Sequence, residues 1–178
     1  MAARDLRISG DVFDRQLSRL VVATADEGDR HIDRAVYDVL RLMRKHLEMD
    51  VAFVSQFENG RRVFRYTDHE APEKLLHEGA SDPLEESFCL RVIDGRLPEL
   101  VKDVAKLPDG LDVPAIPFTI GAHLSTPIVL HDGGVYGTFC CFSFAPNDEL
   151  TQRDLGRLRM AAQMVARLID QARQREER

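Results

Sequence analysis

The residues best equipped for chemistry are three cysteines and one histidine: Cys89, Cys140, Cys141 and His123. A thiol can act as nucleophile, metal ligand or redox group, and an imidazole as base or ligand. Spacing narrows these options. Cys140 and Cys141 are adjacent in a run that reads as a strand, so their side chains leave opposite faces and are badly placed to hold one metal ion together. No CxxC, HExxH or Cys/His cluster occurs, which argues against a structural zinc site. An odd cysteine count with no secretory leader points to reduced thiols. There is no Ser/His/Asp order worth defending as a triad, and no glycine-rich phosphate loop precedes a helix.

The chain that must position these groups has 178 residues, 44% hydrophobic and 30% charged, which predicts one soluble globular domain. Its net charge of −6 argues against a nucleic-acid surface, which needs clustered Lys and Arg. Arg153, Arg157, Arg159 and Arg167 read as a solvated helix face. The longest uncharged stretch, 113–131, contains Pro114, Pro117 and Pro127 and is not a membrane-spanning helix. Arg4, Asp5 and Arg7 with no apolar run behind them give no signal peptide, so the expected compartment is the cytoplasm, with no membrane partner.

Hydrophobic periodicity orders the elements. Phe13, Leu17, Leu20, Val21 and Thr24 form one face of a helix over 11–25. Ile32, Ala35, Val36, Val39, Leu40, Met43 and Leu47 give a second helix, 31–48, with a broad apolar face. A strand over 50–58 and its return over 61–67 are joined by Asn59-Gly60, a strong hairpin signal. Residues 68–83 read as an irregular connection, 84–93 as a short helix, 98–103 as a short extended piece and 106–118 as proline-rich loop. Strands follow over 121–130, with Pro127 marking an edge or a bulge, and over 135–144. Thr151 and Asp154 have the spacing that caps a last helix, 152–173. In that helix Leu155, Leu158, Ala162, Val165, Ile169 and Ala172 form a heptad seam that predicts a homodimer, while Met160, Met164 and Leu168 face the sheet.

The order resembles the GAF fold, and three stretches carry the likeness: 87–98, 120–128 and 132–142, completed by the helix start at 151–155. The resemblance is to bacterial GAF domains found upstream of cyclic-di-GMP signalling domains. It implies an α+β, GAF/PAS-like fold: a central antiparallel sheet of five to six strands, terminal helices on one face and a helix-loop segment on the other. The expected division is an N-terminal helix over 1–29, a GAF domain over 30–173 and a tail over 174–178.

The resemblance also implies a ligand pocket between the sheet and 84–118, lined by Tyr66, Phe88, Cys89, Val92, His123, Ser125, Phe139 and Cys141. Strand alternation puts Leu124 and Ile128 toward the terminal helices and His123 and Ser125 toward the pocket. The implied function is sensory: an unidentified small molecule is bound and the signal passes through the terminal helices and dimerisation to an output protein. Three readings of Cys89 stand side by side. It is a buried apolar-like residue, a redox nucleophile as in the GAF-like enzymes that reduce free methionine sulfoxide, or a bilin anchor. Those enzymes need a resolving cysteine in the loop before the next strand, and 107–120 has none; bilin-binding relatives carry His after the anchor, where Leu90 stands. The dispersed signature of cyclic-nucleotide-binding relatives is not assembled here. A haem would find axial ligands in His123 or Cys89. The expectation is a non-enzymatic module with no metal and no assigned cofactor; a side-chain-filled interaction scaffold is the other non-enzymatic option.

Overall fold

The computed structural model describes residues 10–23, 29–70 and 75–178. In chain order they form α1 (Gly10–Ala23), α2 (Asp29–Leu47), β1 (Val51–Glu58), β2 (Arg61–His69), β3 (Ser81–Pro83), α3 (Phe88–Ile93), β4 (Leu100–Val101), β5 (Ala122–Val129), β6 (Val135–Ser143) and α4 (Gln152–Glu176). Single 3-10 turns precede α3 (Leu84–Glu86) and follow β4 (Val104–Lys106). The strands make one six-stranded sheet in the order β3-β2-β1-β6-β5-β4, and every neighbouring pair is antiparallel.

Local chemistry accounts for the joints. Asn59 and Gly60 both have positive φ, +52° and +71°, which suits the right-handed twist of a two-residue hairpin. β6 passes so close to β1 that a Cβ on Gly137 would lie 1.9 Å from the Ser55 carbonyl oxygen, and only glycine permits that approach. Pro127 sits on β5 beyond the two residues that pair with β4, next to a register shift at Ile128/Val129, so its missing N–H leaves no ladder bond broken on the outer side. Thr151 and Asp154 cap α4 reciprocally.

The sheet separates two layers. On one side α1, α2 and α4 bury Phe13, Val36, Leu40, Met43, Leu158 and Val165 against Ala52, Leu124, Ile128 and Phe139. On the other side lie α3 and the loop before β5, over Val51, Phe53, Phe64, Cys140 and Phe142. The side chains of Leu20 and Val21, and all of Thr24, lie outside the described residues, as does part of the irregular 68–83 connection.

Three expectations need correction. The 68–83 connection contains β3, a three-residue strand too short to show alternation. The short helix is split, because Ser87 breaks the chain into a 3-10 turn and α3 and caps α3 by accepting from the Leu90 N–H. The α4 seam is taken up within one chain: Leu155, Leu158, Ala162, Val165 and Ile169 are all buried against α2 and the sheet, and Ala172 packs beside them. Met164 and Leu168 are buried too, while Met160 is 52% exposed rather than facing the sheet.

Candidate ligand cavity beneath the short helix

A cavity of about 330 Å³ lies between the sheet and the segment formed by α3 and the loop before β5. Its floor is Phe53 of β1, Phe64 of β2, His123 of β5 and Phe142 of β6. Ser87, Phe88 and residues 115–118 form the opposite wall, and Asp82 and Glu86 stand at the side. Phe118 stacks on Phe142 with ring centroids 5.6 Å apart and planes 19° from parallel. Phe88 lies tilted over His123 at 4.9 Å. The walls are thus flat and apolar, with a few polar groups among them, as in small-molecule sites generally.

The polar groups form a connected chain. Arg62 of β2 lies over the Phe64 and Phe53 rings, 4.8 and 5.7 Å from their centroids. It donates through Nε (3.0 Å) and Nη2 to the two carboxylate oxygens of Asp82, and through Nη1 to the Cys89 sulfur at 3.2 Å. Burial by itself would raise the Cys89 thiol; the hydrogen bond from Cys140, the Arg62 charge and a hydrogen bond from Thr138 outweigh it and hold Cys89 well below the ordinary thiol range. Cys140 is pushed the other way, first by burial and then by the Cys89 charge, so it keeps its proton. His123 Nε2 lies 3.1 Å from the Cys140 sulfur. Burial, then the Arg62 charge, lowers the imidazole to about 3, so the ring is neutral at physiological pH.

The Cys140 sulfur and His123 Nε2 share a hydrogen bond whose donor depends on the imidazole tautomer. The other ring nitrogen, Nδ1, is buried and has no hydrogen-bond partner among the described residues.

The expected site residues divide into three groups. Phe88 and His123 line the cavity. Cys89, Val92 and Ser125 lie on the same side of the sheet but behind the lining: Cys89 with Phe53, Phe64 and Cys140, Val92 with Phe88 and Leu97, and Ser125 fully buried with its hydroxyl unpaired among the described residues. Tyr66, Phe139 and Cys141 belong to the opposite face and are corrected here. Phe139 and Cys141 pack in the helix-side core, and Tyr66 donates from its hydroxyl to Asp33 of α2 at 2.6 Å. Tyr66 is displaced by a β-bulge: Ser55 pairs with Phe64 but Val54 pairs with Tyr66, so Arg65 is an extra residue and alternation reverses across it. In β6 the extra residue, Tyr136, lies before this stretch; 138–143 carries small or apolar residues on both faces, so alternation alone cannot choose between them.

Arg62, Asp82 and Phe142 were missed. A signal for Arg62 was available, because a two-residue Asn59-Gly60 turn fixes the register and places Arg62 across from Phe57, on the face that carries Phe53. The Cys89 sulfur is buried behind the lining and engaged by Arg62, which does not suit a bilin anchor. Among the described residues no group of three or more His, Cys, Asp or Glu could hold a metal ion, and no helix is long and apolar enough to cross a membrane.

An antiparallel sheet with helices on one face and a helix-loop roof over a cavity on the other is the GAF architecture. The chain belongs to the GAF domain family, whose family model matches residues 29–170. Its fold is similar to the GAF domain of an Acinetobacter phosphoenolpyruvate-protein phosphotransferase, at 16% identity and a TM-score of 0.71, covering 93% of this chain and 96% of that one. Free methionine-R-sulfoxide reductase from Neisseria meningitidis, solved with its substrate, is similar at 14% identity and TM-score 0.69, with 92% of each chain covered. The phycocyanobilin-bound GAF domain of a cyanobacterial phytochrome is similar at 12% identity and TM-score 0.71, covering 93% of this chain and 98% of that one. No curated protein matches the sequence.

Proposed function

We propose that this GAF domain is a sensory or regulatory module that binds a small molecule in the cavity beneath α3. The observation that carries the reading is the cavity itself: about 330 Å³, walled by aromatic rings, with the neutral His123 among its lining. A side-chain-filled scaffold would have no use for such a space. The output runs through the helices packed on the far side of the sheet. Because the α4 seam is already buried, a homodimer of this module would use the outer surface of α1 and α4, where Val12 and Met160 are exposed. Native mass spectrometry of freshly purified protein tests the reading. A small-molecule adduct that is lost when Phe142→Trp fills the cavity is the expected result. Bare protein, with no thermal stabilisation by any member of a metabolite set, would reject it.

A second reading, thiol chemistry at Cys89, is supported by one arrangement: a thiol paired with Arg62 and hydrogen-bonded to Cys140. NADPH-coupled turnover of free methionine sulfoxide by wild type, absent in Cys89→Ser, would favour it over sensing.

A further inference from the structure

The cavity lining carries both signs of charge, Arg62 beside Asp82 and Glu86, and so sets no ligand charge. Its walls differ in how firmly they are held. The floor is strand, bonded to its neighbours along its length. The wall at 115–118 belongs to a strap, 107–120, that contains Pro108, Pro114 and Pro117. The two ends are tied: Leu107 N–H donates to the Val104 carbonyl at 3.2 Å, and Gly121 N–H to the Ser143 carbonyl at 2.8 Å. Between them, among the described residues, main-chain hydrogen bonds run only within the strap, from Leu111 to Pro108 and from Val113 to Leu111. Prolines stiffen such a segment, so it swings about its ends more readily than it bends. On its inner side it rests on Ile116, packed beside Phe88 and Leu97, and on Phe118, stacked on Phe142.

On its outer side the strap meets α3 through Asp112. Arg91 of α3 is only 8% exposed, and its Nη1 donates to the carbonyls of Glu85 at 2.9 Å and Ser87 at 3.1 Å. Toward the strap its bonding is unfinished. Nη2 reaches Asp112 Oδ1 at 3.4 Å, and Nε, 3.2 Å from Oδ2, is buried and makes no hydrogen bond. The Nε–Nη2 edge of a guanidinium matches a carboxylate in a two-bond fork, and a buried donor left unpaired is costly. Asp112 is held off that position by Arg96, whose Nη1 donates to its Oδ2 at 2.7 Å. A small swing of the strap toward α3 would square the carboxylate on Arg91 and bring the two halves of the roof together. We propose that 107–120 is a hinged strap over the cavity, drawn shut when Arg91 takes the Asp112 carboxylate in that fork. The proposal rests on the sensory reading above, because the strap regulates access to the same site.

Relaxation-dispersion NMR on the full chain, with no ligand added, tests this. The strap amides and the Arg91 Nε–H should report one shared exchange process on the microsecond-to-millisecond scale. Asp112→Asn should lower the closed population at least about fivefold, as expected for losing a charged hydrogen-bonded pair, and flatten those dispersions together. Asp109→Asn is the control: it removes the same charge from an exposed position of the same strap that makes no ion pair among the described residues. It should leave the dispersions unchanged. Flat profiles across the wild-type strap, or equal effects of the two variants, overturn the proposal. Exchange at the strap amides with a silent Arg91 Nε–H also overturns it, since the loop would then move without the fork. None of these results touches the sensory reading, because no ligand enters the experiment; that reading falls only to the mass spectrometry and thermal stabilisation described above.

Discussion

The two faces of the sheet use similar residues to opposite ends. On the helix face, Phe139, Cys141, Leu124 and Ile128 interlock with α2 and α4 and are fully buried. On the roofed face, Phe142, Cys140, His123 and Ser125 alternate with them along the same two strands, yet Phe142 and His123 border a cavity, and His123 and Ser125 carry polar atoms unpaired among the described residues. One layer is closed by apolar area from two long helices. The other is covered by a six-residue helix and a proline-rich loop, which have too little apolar surface to close it. A single sheet thus separates the part that holds the domain together from the part free to accept something.

The strongest way to break this contrast is to truncate one side chain on each face. Leu158→Ala, in the fully buried helix layer, should cost about 2–5 kcal/mol in urea unfolding, the range for buried leucines. Phe118→Ala, removing a half-buried ring that borders the cavity, should cost distinctly less although it deletes more atoms. Equal losses would mean that both layers bear the fold alike.

The cysteines sharpen the same contrast. Cys141, on the helix face, is raised chiefly by burial, whereas Cys89 is lowered by its neighbours. Absorbance at about 240 nm, followed against pH, should show a thiolate step below the ordinary range near 8.5. Cys89→Ser should delete that step and Cys141→Ser should leave it. A wild-type curve with no such step would mean that Arg62 does not hold a thiolate.

The smallest effect concerns two histidines with opposite signs. His123 is lowered in the fold, so below about 6.5 the unfolded chain binds the extra proton and stability falls with falling pH. His131, exposed and raised by its hydrogen bond to Asp170, contributes below its ordinary value and loses that contribution as pH rises. Between about pH 7 and about pH 5.5 the wild-type urea midpoint should drop. His123→Phe should reduce that drop and His131→Gln should deepen it slightly.

The helix face was far more legible in the sequence than the roofed one. The α2 stripe from Ile32 to Leu47 repeats at the helical period and is buried throughout, and Asn59-Gly60 announced its hairpin. Long periodic segments average over local accidents. The cavity side depends on single residues, and there one event suffices to mislead: Arg65 reverses the faces of β2, and Ser87 interrupts a helical pattern. Phe88 and His123 were found because α3 and β5 keep regular geometry around them. Arg62 was passed over because an isolated arginine in a hairpin usually faces water. Its partners Asp82 and Cys89 come from β3 and α3, twenty and twenty-seven residues further along the chain.

The extra residue in β2 also gives that strand two attachments. Before it, Arg62 and Phe64 belong to the cavity; after it, Tyr66 reaches Asp33 and Asp68 reaches Arg44, both on α2. Had the strand been regular, residues 64 and 66 would share a side and no short stretch of backbone would be gripped from both. As built, the guanidinium beside the cavity and the hydroxyl that holds α2 sit four residues apart on one strand. The bulge thus fastens a single short stretch of backbone to both layers of the molecule.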